Sequence, residues 1–258
     1  MKVISINVNG IRAAAKKGFF EWLARQKADV VCLQEIKAQD HHLTEDTFCP
    51  KNYHCYYYPA ERPGYSGVGI YCKSEPKKVT RGLGKGWEDM DAEGRYIQAD
   101  FGHLSVASIY LPSGSSSDER QQVKFSFMDR FSQTLKSLRR KKSEFILCGD
   151  WNIVHKEIDI RNWKSNQKNS GCLPEERAWL DQVFGPIGFV DAFRVVNQEA
   201  GQYTWWSNRG QAWAKNVGWR IDYQVITPGL KKSVQSASIY KDERFSDHAP
   251  LIINYKID

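Results

Sequence analysis

The sequence has little that would mark it as secreted, membrane-bound or zinc-holding. Its six cysteines, at 32, 49, 55, 72, 148 and 172, form no CxxC pair and no Cys/His spacing that suits zinc. Size and spacing argue against a disulfide framework, and a reduced, cytoplasmic protein is expected. No apolar run approaches the roughly 20 residues of a membrane span. The opening MKVISINVNG lacks a charged leader followed by a long apolar stretch, so no signal peptide is expected. There is no serine nucleophile elbow, no phosphate-cradling glycine loop, no low-complexity linker and no repeat. Against these absences stand nine Trp, twelve Tyr and twelve Phe, a net charge of +7 and a pI near 9.0. The excess of positive charge favours a polyanionic partner. At 258 residues, one domain spanning 1–258 is expected.

Strand-like runs rich in Val, Ile and Tyr fall at Val3–Ile6, Ala28–Leu33, Tyr53–Tyr58, Gly67–Cys72, Tyr96–Phe101, Leu104–Leu111, Glu144–Cys148, Ile221–Ile226 and Leu251–Tyr255. One apolar stripe, Val123, Phe127, Phe131, Leu135 and Leu138, predicts a helix over 119–138. Shorter helices are predicted at Phe19–Gln26 and after Leu173-Pro174, where proline and two glutamates suit a first turn. Strands with interspersed helices predict a layered α/β protein centred on sheet. The stretches 82–94 and 157–171 are expected to be long loops.

Six apolar segments share an ending. Lys2–Ile6 runs into Asn7 and Asn9, Asp29–Leu33 into Gln34 and Glu35, and Ser105–Ile109 into Tyr110. Phe145–Cys148 runs into Gly149, Asp150 and Asn152, residues 218–221 into Asp222, and residues 244–246 into Asp247 and His248. Each alone reads as a turn or a solvated strand end. Brought together by packed sheets, they make a cluster of acids, amides and one imidazole. Glu35, Asp247, Asn7 and Asn9 offer hard oxygens, which suit Mg²⁺ or Mn²⁺. The Asp-x-Asn spacing points Asp150 and Asn152 to one face of an extended segment. Metal-assisted attack of water on a phosphodiester fits this inventory best.

The stretches INVNGIR (6–12), LQEIK (33–37), YLPSG (110–114), GDWNIVHKEIDIRN (149–162), KNVGWRIDY (215–223) and SDHAP (246–250) occur in an order and spacing that resembles the exonuclease III-type AP endonucleases of the endonuclease/exonuclease/phosphatase superfamily. The resemblance runs nearly end to end. It implies a four-layered α/β sandwich, DNase I-like, with two packed mixed sheets flanked by helices. It makes Glu35 the principal metal ligand and Asp247 a further ligand or brace, with Asn7 and Asn9 holding the metal directly, through water, or orienting Asp150. It places Asp150 near the attacking water, as base or as leaving-group acid, and Asn152 beside the water or phosphate. It sets His248 on the scissile phosphate with Asp222 holding its ring, and gives Tyr110 a phosphate oxygen. Trp205, Trp219 and Ile221 would line a pocket for a flipped, base-free deoxyribose. Arg209, at a loop tip where relatives carry a bulky apolar residue, would wedge into the duplex. Asn166, Asn169, Lys215 and Asn216 would contact phosphates.

The resemblance therefore implies a Mg²⁺-dependent nuclease, with Mn²⁺ able to substitute, that cuts 5′ to abasic sites in double-stranded DNA during base-excision repair. Some trimming of blocked 3′ ends is expected beside it, and a monomer with no membrane association. Two readings compete: an enzyme that is mainly a 3′-phosphatase or 3′–5′ exonuclease, and a DNA-binding scaffold with a dead site. The full acid and imidazole set argues against the scaffold.

Overall fold

The computed structural model describes residues 1–257. In chain order the strands are β1 (Lys2–Asn7), β2 (Val30–Gln34), β3 (His54–Tyr58), β4 (Val68–Cys72), β5 (Lys78–Arg81), β6 (Tyr96–Asp100), β7 (Leu104–Tyr110), β8 (Glu144–Asp150), β9 (Val190–Asp191), β10 (Trp205–Trp206), β11 (Gly218–Trp219), β12 (Asp222–Ile226), β13 (Val234–Ile239) and β14 (Leu251–Tyr255). The α-helices are α1 (Ile11–Ala15), α2 (Phe19–Gln26), α3 (Glu88–Asp91), α4 (Asp118–Arg139), α5 (Trp163–Asn166), α6 (Pro174–Phe184) and α7 (Ala192–Val196).

Two six-stranded sheets carry the fold, with strand orders β13-β14-β1-β2-β4-β3 and β5-β6-β7-β8-β12-β9. Both are mixed: β1–β2 and β7–β8 are parallel, and the remaining pairs are antiparallel. Strands β2, β4, β7 and β12 are buried along their whole length, which is why they read as continuous apolar runs rather than alternating ones. Val3, Val30, Ile70, Val106, Ile146 and Ile253 belong to one core between the sheets. A second core covers the outer face of the β7–β8–β12 sheet with Phe127, Phe131 and Leu135 of α4 and Leu180 and Val183 of α6. A third covers the outer face of the other sheet with Phe19, Trp22 and Leu23 of α2. Helix, sheet, sheet and helix make the four expected layers.

Helix α4 begins where Ser117 Oγ accepts the Arg120 N–H, with Asp118 and Glu119 in the first turn and Lys136 and Arg139 in the last. Each charge opposes the helix-dipole end beside it. The expected apolar stripe is buried except for Val123, which is partly covered. The structure adds elements that the pattern did not predict. The stretch 82–94 holds α3, and 157–171 holds a 3₁₀ turn and α5. Strand β13 reads VQSASI; it lies at a sheet edge with its polar residues largely outward, so its apolar signal is diluted.

Register decides where the side chains of the strand ends fall. Tyr110 of β7 and Asp222 of β12 both lie opposite Asp150 of β8, so three adjacent strands end in functional groups at one height. Gly149 is required by close approach: a Cβ there would lie 1.8 Å from the carbonyl oxygen of Ile109.

Candidate active site

The strand ends open into a cavity of about 770 Å³. Glu35, Tyr110, Asp150, Asn152, Asp247 and His248 line it, together with the apolar Trp205, Trp219 and Ile221. Segments 113–118 and 168–171 complete its walls.

Asp150 is buried at the centre. Its Oδ2 accepts Asn7 Nδ2 at 2.9 Å, its Oδ1 accepts the Asn152 N–H at 2.8 Å, and His248 Nε2 stands 3.7 Å away. Burial raises its carboxyl pKa to about 7; His248 opposes that rise, while Asp222 and Glu35 add to it. The imidazole is pinned from behind, Nδ1 lying 2.9 Å from Asp222 Oδ2. Burial alone would lower its pKa, but the carboxylates of Asp222 and Asp150 outweigh burial and hold it at about 10. His248 is thus an imidazolium at neutral pH, flanked by two acids. Asp222 is fixed in turn, its N–H and that of Ile221 both reaching Thr204 Oγ1 at 3.1 Å.

Both ends of the Asn7 side-chain amide are committed. Nδ2 reaches Glu35 Oε1 at 2.8 Å as well as Asp150, and Oδ1 accepts the Asn9 N–H. Asn9 gives Nδ2 to Asp247 Oδ1 at 2.9 Å. Asp247 Oδ2 accepts the Trp205 indole N–H at 3.1 Å, which ties the apolar wall to the acids. Burial would raise the Glu35 carboxyl, but the Lys37 ammonium and the Asn7 amide outweigh it and keep its pKa below the ordinary value. Tyr110 stays a phenol, because burial and the nearby Glu35 and Asp150 carboxylates raise its pKa. The Arg95 guanidinium lies 4.7 Å from its ring centre.

Two groupings bear on a metal. Ligand atoms of Asp150, Asp222 and His248 lie within 4.8 Å of one another, close enough to hold an ion. In that cluster, however, the imidazole already carries its proton between two carboxylates. The Glu35–Asn9–Asp247 grouping is the better fit, for a reason visible in the structure. The Lys37 ammonium sits 2.7 Å from Glu35 Oε2 and 2.5 Å from Asn9 Oδ1, so a cation already lies against two of these hard-oxygen groups.

Backbone strain gathers here. Asn9, Glu35, Lys37 and Asn152 all adopt left-handed φ values, at 44°, 49°, 49° and 53°. Non-glycine residues hold such angles only where their surroundings impose them.

Trp205 and Trp219 meet edge to face at 5.8 Å across the β10–β11 pair, and Ile221 packs with them. Trp206 is core, against Trp213. The outlying predicted residues are placed less uniformly. Asn169 lines the cavity, while Asn166 lies outside its lining, donating Nδ2 to the Asn162 carbonyl and accepting Asn169 Nδ2 at Oδ1. Lys215 and Arg209 are exposed and lie outside the cavity lining. Asn216 accepts the Trp206 indole N–H and donates to the Gly201 carbonyl, which ties its loop back to β10 and the segment before it. Lys37, Thr204, Arg95 and Lys124 act on this site without having been singled out in the sequence. Only Lys37 had a signal there, its place in LQEIK.

Comparison with known proteins agrees with this geometry. The model of the Endonuclease/Exonuclease/phosphatase family matches residues 4–248. An exodeoxyribonuclease of Bacillus subtilis is 41% identical over 258 residues, covering 98% of this chain and 100% of the relative. The DNA repair nuclease APEX1 of Danio rerio is 39% identical over 98% of this chain and 81% of its own length. The structure of an AP endonuclease from Archaeoglobus fulgidus superposes with a TM-score of 0.89 at 28% identity, each chain covered fully. A strand-end site built on two packed sheets, a family match over nearly the whole chain and full-length relatives lead to one assignment: the chain belongs to the Endonuclease/Exonuclease/phosphatase family.

Proposed function

We propose that this chain, acting as one catalytic domain and a monomer, is an AP endonuclease. It hydrolyses the phosphodiester 5′ to an abasic site in double-stranded DNA and trims some blocked 3′ ends. The observation that carries this reading is a shared cavity. The buried acid–imidazolium cluster and the Trp205–Trp219–Ile221 wall face the same space. A base-free deoxyribose can leave the duplex at low cost and rest on that wall, while its phosphate reaches the acids.

In this reading Glu35, Asn9 and Asp247 hold Mg²⁺, or Mn²⁺ in its place, with Asn7 linking Glu35 to Asp150. The ion would neutralise charge on the phosphate oxygens. Asp150, with its carboxyl poised near neutral pH, takes the proton of the attacking water. The His248 imidazolium faces the phosphate as a fixed positive charge, and Asp222 keeps it charged and aimed. Tyr110 donates its hydroxyl to a phosphate oxygen. Asn152 is held by its side chain on the Leu111 carbonyl and by its N–H on Asp150, and so fixes the direction of the base. The new P–O bond forms as the P–O3′ bond breaks, and the leaving oxygen takes a proton from water and ends as a 3′-hydroxyl. The excess positive charge supports a duplex partner. Six cysteines without a disulfide support a reducing, cytoplasmic setting. No helix among the described residues is long and apolar enough to cross a membrane.

One observation favours the reading in which 3′-end processing dominates. Asn216 is bound to the Trp206 indole and the Gly201 carbonyl, which leaves it less free to grip a duplex beyond the lesion. Incision of a labelled duplex carrying one abasic analogue, with Mg²⁺ and with EDTA, separates the two. An undamaged duplex and a 3′-phosphate nick serve as companions. Metal-dependent cutting confined to the 5′ side of the lesion is expected. Phosphate removal without incision would make the enzyme a 3′-end processor.

A further inference from the structure

The apolar stripe of α4 contains a charge. Lys124 lies on the same helix face as Phe127, Met128 and Phe131, where an aliphatic residue would continue the pattern. Its side chain is fully buried, and so is that of its partner, Glu176 at the start of α6. The ammonium is 2.6 Å from Glu176 Oε1 and 2.7 Å from the backbone carbonyl of Asn152. Glu176 Oε2 accepts the Leu173 N–H at 3.0 Å, and Oε1 accepts Gln121 Nε2 at 3.2 Å.

A buried ion pair is a poor way to stabilise a fold. Well-packed apolar residues of similar volume commonly do as well or better. What this pair does that they could not is satisfy the Asn152 carbonyl. That carbonyl belongs to a residue at φ 53°, where the chain turns off the end of β8. The N–H and side chain of Asn152 are bound to Asp150 and Leu111, at or beside the strand ends. Its carbonyl is the remaining handle, and Lys124 holds it from outside the sheet. Through Gln121 and Leu173, the same charge pair also reaches the two cavity walls that those residues help to line.

We propose that Lys124 and Glu176 are positioning residues for hydrolysis: the pair clamps the Asn152 carbonyl and so fixes the turn that aims Asp150 and Asn152 into the cavity. The inference rests on the nuclease reading of that site. Neither residue touches substrate. Their effect falls on the rate of the chemical step and leaves duplex affinity alone.

Removing one partner alone strands a buried charge and endangers folding, so the decisive variant is Lys124→Met with Glu176→Leu. It is expected to melt within a few degrees of the parent. Its kcat on an abasic duplex is expected to fall about 10- to 100-fold with KM nearly unchanged. Lys124→Arg, which keeps charge and donors, should recover part of the rate. Amide exchange at Asn152 should quicken in the double variant, and this readout needs no turnover. A folded double variant with parental kcat and parental Asn152 protection overturns the proposal. So does a double variant that does not fold, since the pair would then serve the fold itself. If the parent chain fails to incise abasic duplex, the nuclease reading falls, and Asn152 exchange alone decides whether the clamp exists.

Discussion

Two clusters of buried charge are anchored two residues apart, at Arg220 between β11 and β12 and at Asp222 where β12 begins, and they are built on opposite principles. Arg220 is enclosed by partners: Nε reaches Asp159 at 2.8 Å, Nη2 reaches Asp191 at 2.7 Å, and its guanidinium lies 4.5 Å from the Tyr223 ring centre. Arg194 also pairs with Asp159. Burial would raise the Asp159 carboxyl, but the two guanidiniums win and pull its pKa to about 2. Asp222, by contrast, belongs to a group with four carboxylates, Glu35, Asp150, Asp222 and Asp247, and two cations, the His248 imidazolium and the Lys37 ammonium. There Asp150 is driven up to about 7. The first cluster matches its charges and fixes the segment that bears Trp219 and Ile221. The second has more acids than cations, and the shortage felt at buried Asp150 makes a base near neutral pH.

The comparison breaks most sharply at Asp150. Asp150→Asn should lower kcat about 10²- to 10⁴-fold, as loss of a general base does. It should also leave the melting temperature unchanged or raise it. The sign follows from the raised pKa: a carboxyl harder to ionise in the folded state costs stability as pH climbs from its unfolded pKa towards 7. The amide removes that cost. A large drop in melting temperature would mean that Asp150 is structural.

Arg220→Met should do the reverse. It strands buried Asp191 and leaves Asp159 with Arg194 alone, and should cost about 3–5 kcal/mol of unfolding free energy in urea titration. Activity of the fraction that stays folded should fall far less than in Asp150→Asn. A smaller effect is expected for Asp159→Asn. The folded pKa of about 2 lies below the ordinary aspartate value of 3.8, so its stabilisation is present above pH 4 and is lost as pH falls towards 2. About 2 kcal/mol of acid-sensitive stability should vanish from the variant's pH–stability curve. An acid limb identical to the parent's would refute the pairing. The smallest change sharpens the link between the wall and the acids. Trp205→Phe keeps a ring but deletes the N–H to Asp247, and should lower kcat/KM on an abasic duplex about three- to tenfold. Unaltered kcat/KM would show that the ring alone matters.

Much of the fold was legible because the central strands are buried on both faces and spell themselves as apolar runs, as GVGIYC and FILC do. Strands β9, β10 and β11 have two residues each, too short for any periodicity. The site was legible as a set of endings, Asn7, Glu35, Tyr110, Asp150, Asp222 and His248, but the sequence could not supply their register. That register sets Tyr110 and Asp222 level with Asp150. Lys124 was invisible for a related reason. A lysine in a helical stripe reads as the edge of the wet face, and its two partners lie 28 and 52 residues further along the chain. The double commitment of Asn216 was hidden likewise, since an asparagine in a loop gives no hint of which neighbours will claim it.

The level row of Tyr110, Asp150 and Asp222, closed by His248 and by Asn7 from the other sheet, has a consequence for safety. The site draws on segments from residue 7 to residue 248, and no contiguous half of the chain contains it. Strand β1 must lie beside β14 and β2, and β8 between β7 and β12, before the acids meet. A slip of one residue at any of these pairings would turn the row to the opposite face. A half-folded or clipped molecule therefore holds no blade. For a protein whose work is cutting DNA, correct assembly is the safety catch, and hydrolysis itself reports that the whole fold has closed.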